Sequence, residues 1–193
     1  ICNENRRKNI FILAFVTSTN EFGKIKDVLK LFNNEIFESF HDNIIEISSK
    51  NDGQGTLEDS GLNKSSNILM LATNVIESSV TLTGLDYVID CGLSKQVIFS
   101  PLMNGDIEKI ATISQASAEQ RKGRVGRIQP GTCYRLYTKD YFENAMPKSS
   151  QPEILTNEIE SILVNLLNIG YNYFNFDFIE PPSLIQSSYA TEN

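Results

Sequence analysis

The run SAEQRKGRVGRIQPG, residues 117–131, places four cations within seven residues: Arg121, Lys122, Arg124 and Arg127. Gly123 and Gly126 stand between them. Arginine offers a planar fork of N–H donors that matches phosphate oxygens and keeps its charge. Ser114 or Ser117 can cap a helix here, and Ser117 with Gln120 has capping-box spacing. A helix continuing through the arginines would set Gln120, Arg124 and Arg127 at i, i+4 and i+7, a single stripe. One amide and two guanidiniums on one face suit a polyanion. The neighbouring glycines let a ligand or another backbone come close. Arg121 falls off the stripe and is free to turn inward to a carboxylate, while Lys122 reads as a solvated charge. A charge run is ordinarily just a solvated face. Two glycines within four residues count against that, because each costs roughly 1 kcal/mol in a helix interior.

These cations stand out against an acidic chain. The 193 residues carry a formal net charge of -7, yet from Lys95 to Arg135 the local balance is +4, leaving -11 for the rest. A basic face on an acidic domain is compatible with phosphate binding. The length suits one domain with a short extension, and a hydrophobic content of 40% is enough for a packed core. Cys2, Cys91 and Cys133 are widely spaced and His41 is the only histidine. That pattern disfavours a disulfide framework, a zinc site and a His-activated nucleophile. No apolar run is long enough to span a bilayer, and the opening ICNENRRKNIF resembles no signal peptide and lacks Met. The expectation is an intracellular protein, nuclear or cytoplasmic, from which this chain is one piece.

The elements that must position the arginines alternate along the chain. Apolar runs at 10–15, 43–47, 67–73, 85–92 and 132–138 predict strands. Residues 22–32 have helical spacing, and 154–170 end in an amphipathic helix closed by Gly170. Strands alternating with helices imply a parallel α/β sheet. Residues 48–66 read as a polar loop. Between Lys95 and Thr112 the pattern becomes strand, turn, strand, with Pro101 and Gly105 bracketing the reversal, which predicts an inserted β-hairpin.

With the elements in place, a family resemblance follows. QRKGRVGR, residues 120–127, resembles motif VI of superfamily 2 helicases, Q-R-x-G-R-x-G-R. ATNVIESSVTL, 72–82, resembles motif V of the DEAH/RHA branch. YVIDCGLSKQ, ISQASAEQR, PGTCYRLYT, PEILTNEI and FDFIEPPS are similar to the same family and follow in its order. ILAFVTSTNEF resembles motif IV, with Glu21 in place and Ser18 where a glycine is usual. IESSVT and QRKGRVG together also resemble the poxviral RNA helicases, which points to a large DNA virus as one source, with the virion or infected-cell cytoplasm as the compartment.

The resemblance implies a RecA-like three-layer α/β domain with a mostly parallel sheet, helices on both faces and the inserted hairpin at about 97–111. Residues 1–150 would be the second RecA-like domain and 151–193 the start of the winged-helix region. Motifs I and II of the first domain do not occur here. By the family's pattern Gln120, Arg124 and Arg127 contact the triphosphate, with Gly123 and Thr83 also at the nucleotide and the two arginines as fingers. Thr73, Asn74, Thr81 and Thr19 would contact RNA, while Glu77 and Arg121, with Asn74, would couple the RNA groove to the ATP cleft. The implied substrate is ATP, with other NTPs accepted, and Mg²⁺ is held mainly by the first domain. The implied partners are RNA and the remaining domains of the same polypeptide, with no membrane. Thr83 stands where many members carry a ribose-binding aspartate, and residues 42–86 lack the aromatic that stacks on the base, so weak base selectivity is expected. Cys91 replaces the usual proline and Leu155 a common arginine, both matters of packing. The expected activity is ATP-driven 3′-to-5′ movement on RNA by the whole protein, with this piece inactive alone. A helicase-like scaffold without hydrolysis and a DNA helicase are the alternatives. A Rossmann oxidoreductase is disfavoured because no G-x-G-x-x-G follows a strand.

Overall fold

The computed structural model describes residues 9–40, 43–49, 67–77, 82–183, 186–188 and 190. Five strands form one sheet: β1 (Phe11–Phe15), β2 (Ile44–Ile47), β3 (Ile68–Ala72), β4 (Tyr87–Asp90) and β7 (Thr132–Arg135). Their order is β2-β3-β1-β4-β7, and each neighbouring pair is parallel. Strand β3, flanked by β2 and β1, is buried at all five positions, as expected for a parallel strand covered on both faces.

Alternate residues feed two cores. Leu13, Phe15, Ile45, Ile47, Met70 and Val88 point to one face, joined by Ile76, Leu82 and Leu85. Ala14, Val16, Leu69 and Leu71 point to the other, joined by Phe22 and Phe40. Phe22 belongs to α1 (Asn20–Phe32) and Phe40 to α2 (Asn34–Phe40). The Glu21 carboxylate accepts the Thr17 N–H at 2.8 Å and settles the start of α1. Asn33 ends it, and its Oδ1 accepts the Ile36 N–H at 3.1 Å in the first turn of α2.

The third helix, α3 (Gln115–Lys122), lies against β4 on the opposite face, with the Arg121 guanidinium over the Phe15 ring. The three-layer, mostly parallel α/β fold expected from the pattern is therefore present. The inserted hairpin is present too and is longer than the expected 97–111. Its strands are β5 (Leu93–Ser100) and β6 (Gly105–Thr112). The apolar alternation fades at the base of the ribbon, which hides those residues from a periodicity reading. The polar loop expected at 48–66 falls mostly outside the described residues.

The chain divides into two compact units, one from 1–94 and 111–149, the other from 95–110 and 150–193. The second holds most of the hairpin and the helix α4 (Glu160–Asn168). Gly170, at φ +88°, closes α4 by donating to Leu167 O, and the Tyr171 N–H reaches back to Leu166 O at 2.9 Å. Among the described residues no helix is long and apolar enough to cross a membrane.

Candidate functional site

All five parallel strands present their carboxyl ends on one edge. The chain leaves β1 toward β2 and leaves β4 toward β7, so the connections diverge between β1 and β4, where Phe15 pairs with Asp90. Ligands of open α/β sheets bind at such a divergence.

Beside it lies Arg121, the largest fully buried side chain among the described residues. Its Nε donates to Glu77 Oε2 at 3.2 Å and its Nη1 to Asp90 Oδ1 at 2.8 Å. Both Nη atoms also reach the Leu93 carbonyl at 3.3 Å. Its flat face lies 4.6 Å from the centre of the Phe15 ring. The inward turn to a carboxylate anticipated for Arg121 is met by two carboxylates. Glu77 closes the single 3-10 turn after β3, Asn74–Glu77, and its other oxygen accepts a hydrogen bond from Ser117 Oγ. Asp90 ends β4, where Oδ1 also accepts the Gly92 N–H at 3.0 Å and Oδ2 accepts the Tyr137 hydroxyl at 2.7 Å.

The expected helical stripe of Gln120, Arg124 and Arg127 does not form. Ser114, not Ser117, caps α3 by accepting the Ser117 N–H at 3.1 Å, which leaves the Ser117 hydroxyl for Glu77. The helix ends at Lys122 with Gly123 as its C-cap. Tighter turns follow, from Arg124 N to Arg121 O and from Val125 N to Lys122 O. Gly126, at φ +81°, then turns the chain in a conformation that a side chain would strain. Gln120 is exposed on the last turn of α3. Arg124 is 9% exposed, and its Nη2 donates to the Glu77 carbonyl. Arg127 is exposed, with Nε on the Gly123 carbonyl at 3.0 Å. Lys122 is a surface charge paired with Glu119 at 3.1 Å. The glycines therefore end a helix and fold the arginines over its C-terminus.

Burial, and then the neighbouring Arg127 charge, push the Arg124 guanidinium below its ordinary pKa, against the opposing pull of Glu77. A cation disfavoured by burial and by a like charge gains all the more from an arriving anion. Burial, with the hydrogen bond to Asp90, pushes the Tyr137 phenol well above its ordinary range. Burial likewise raises the free thiols Cys91 and Cys133, so neither is an activated nucleophile.

The other sequence candidates gather less closely. Thr73 is buried just past β3, its N–H on the Ile47 carbonyl at 3.1 Å. Asn74 begins the 3-10 turn, exposed. Thr19 is exposed at the start of α1 and makes no side-chain cap bond. Thr83 is exposed, and Thr81 lies outside the described residues. Among the described residues no group of three His, Cys, Asp or Glu side chains could hold a metal ion. Sequence reading missed Asp90 and Tyr137, and offered Ser117 only as a helix cap. An acid closing the apolar run YVID was the available signal for Asp90.

A mostly parallel sheet with guanidiniums gathered on its carboxyl edge defines a RecA-like domain. The model of the helicase conserved C-terminal domain matches residues 1–129, and the chain belongs to that family. Its fold is similar to the crystal structure of the E. coli DExH-box NTPase HrpB, with a TM-score of 0.78 and 24% identity over 94% of this chain and 22% of that one. A second crystal structure, of the Escherichia coli DEAH/RHA helicase HrpB, matches with a TM-score of 0.75 and 24% identity over 94% of this chain and 23% of that one. The chain thus spans less than a quarter of the proteins it resembles.

Proposed function

We propose that this chain is the second RecA-like half of an NTP-driven RNA helicase of the DEAH/RHA type, and that Arg124 and Arg127 are its arginine fingers. The observation that carries this reading is the pairing of a nearly buried Arg124, tied to the Glu77 carbonyl, with an exposed Arg127 three residues on. Both follow Gln120 at the end of α3 on the ligand-binding side of the sheet.

The nucleotide is held between this domain and a first RecA-like domain of the same polypeptide, where Mg²⁺ would be held mainly by that first domain and would neutralise phosphate charge. Arg127 is free to reach the triphosphate from solvent. With Nη2 held on the Glu77 carbonyl, the Arg124 guanidinium turns its charge to the γ-phosphoryl group as it leaves. The Gln120 amide orients the terminal phosphate or the attacking water. Gly123 keeps the turn tight: a Cβ there would sit 3.3 Å from two helix carbonyls. Thr73, Asn74, Thr81 and Thr19 are the residues this reading assigns to RNA, and Thr83 is assigned to the nucleotide. Glu77 and Arg121 are the coupling residues of this reading: the Glu77 carboxylate holds Arg121 and its carbonyl holds Arg124. Residues 1–150 form this domain and 151–193 begin the winged-helix region. The free thiols Cys91 and Cys133 suit a reducing, intracellular compartment.

Removing a finger tests this. In the full-length enzyme Arg127→Ala should lower RNA-stimulated ATP hydrolysis by about 10³-fold or more, with RNA affinity in the absence of ATP nearly unchanged. Wild-type turnover would sink the finger assignment. Running the assay with DNA in place of RNA decides the polymer, and a competition among ATP, GTP, CTP and UTP tests the expected weak base selectivity. The 193-residue chain alone should release no phosphate from ATP.

A further inference from the structure

We infer that Asp90 and Tyr137 are positioning residues for Arg124, acting through Arg121 and Glu77. This rests on the reading of Arg124 as a finger. The route is continuous. The Tyr137 hydroxyl donates to Asp90 Oδ2 at 2.7 Å, and Asp90 Oδ1 takes Arg121 Nη1 at 2.8 Å. Arg121 Nε holds one oxygen of Glu77 at 3.2 Å, and Ser117 Oγ holds the other. The carbonyl of the same Glu77 receives Arg124 Nη2.

Each link lacks a spare degree of freedom. The Asp90 side chain has no solvent exposure, so water cannot replace the phenol if it is lost. Arg121 uses all three of its nitrogens and lies flat over Phe15, so it cannot swing to compensate. Gly92 lets the Tyr137 ring in: a Cβ there would lie 2.6 Å from Tyr137 Cδ1. Glu77 is thus clamped at its carboxylate, and the position of its carbonyl follows.

A purely structural purpose explains this poorly. Buried ion pairs contribute little to stability compared with apolar residues of the same volume, and a functional site needs a supporting shell that locks its rotamers. Glu77 and Asp90 against Arg121 also leave one negative charge in excess, and Arg124 is the nearly buried cation that balances it. The shell that orients Arg124 therefore also draws its charge to this edge.

The test is a double-mutant cycle in the full-length enzyme, with RNA-stimulated ATP hydrolysis as the readout. Tyr137→Phe removes one hydroxyl and should lower kcat about tenfold, the scale of a hydrogen bond to a buried charge, while KM for ATP stays within about twofold. In an Arg124→Ala background the same change should cost nothing further, because the residue it positions is gone. Asp90→Asn is the second variant and should show the same dependence on Arg124. Wild-type kcat in Tyr137→Phe overturns the inference. So does an equal loss with and without Arg124, which is how a residue needed only for folding behaves. If Arg124→Ala alone turns over like the wild type, the finger reading fails and takes this inference with it, so the two failures are told apart by that single variant.

Discussion

Asp90 and Arg121 meet at 2.8 Å with neither side chain exposed to solvent. Such a pair is stabilising only while both members are present, because either one alone is a buried charge without its counter-ion. Arg121→Met should therefore destabilise the 193-residue chain by about 3–5 kcal/mol. Adding Asp90→Asn should restore part of the loss, since the stranded carboxylate is then neutral. Urea denaturation of the two single variants and the double variant checks this, and simple additivity would show that the two residues do not act as a pair.

Tyr137 gives the chain an alkaline signature. Its pKa is raised, first by burial and then by its hydrogen bond to Asp90. The unfolded chain releases that proton near pH ~10, whereas the folded chain keeps it. The stabilising contribution is therefore fully present below the unfolded value and is lost as pH rises above it. The ultraviolet phenolate signal of the native chain should therefore rise with the Tyr137 phenol lagging. Tyr137→Phe should lack the lagging step and lose less stability on going from neutral to strongly alkaline pH. Identical alkaline profiles for the two proteins would contradict the buried phenol.

The sheet strands, α1 and α4 were legible because their apolar spacing is local: Phe11–Phe15, Ile68–Ala72 and α1 each carry their own pattern, whereas α2 was not anticipated. The inward turn of Arg121 was legible for a related reason, as it is out of phase with Gln120 and Arg124. The end of α3 was not. A glycine four residues before an arginine reads equally well as helix interior or as C-cap, and the choice is made by Gly126 taking a positive φ and by the Glu77 carbonyl receiving Arg124. Ser114 and Ser117 were equivalent caps until Glu77, forty residues away in sequence, engaged the second hydroxyl. Asp90 and Tyr137 were hidden because each sits in a run that reads as a strand, and alternation alone does not say which residue meets a buried guanidinium from another element.

The helicase resemblance implies that the hairpin stands at a duplex junction, where hydrolysis and strand separation can be measured apart. Its strands are joined across the ribbon by Lys95 and Glu108 at 2.6 Å, and its tip carries Leu102 and Met103, 94% and 73% exposed. Asn104 makes the reversal at φ 48°, a conformation asparagine tolerates. Two large apolar side chains held out at the end of a ribbon are costly in water, yet they are the kind of wedge that lodges between base steps. Leu102→Ser with Met103→Ser removes the wedge and leaves the ribbon, and surface changes of this kind alter stability by only about 0.5 kcal/mol. If the tip works at a duplex junction, the full-length variant should hydrolyse ATP with RNA at nearly the wild-type rate. Strand separation should fall by about an order of magnitude, because unstacking a base step costs a few kcal/mol that the wedge no longer supplies. The two rates are read in parallel on one preparation, phosphate release for hydrolysis and a labelled duplex for separation. Equal loss of both would place the hairpin in the hydrolysis cycle itself, and no loss of either would leave the exposed Leu102 and Met103 to some other contact.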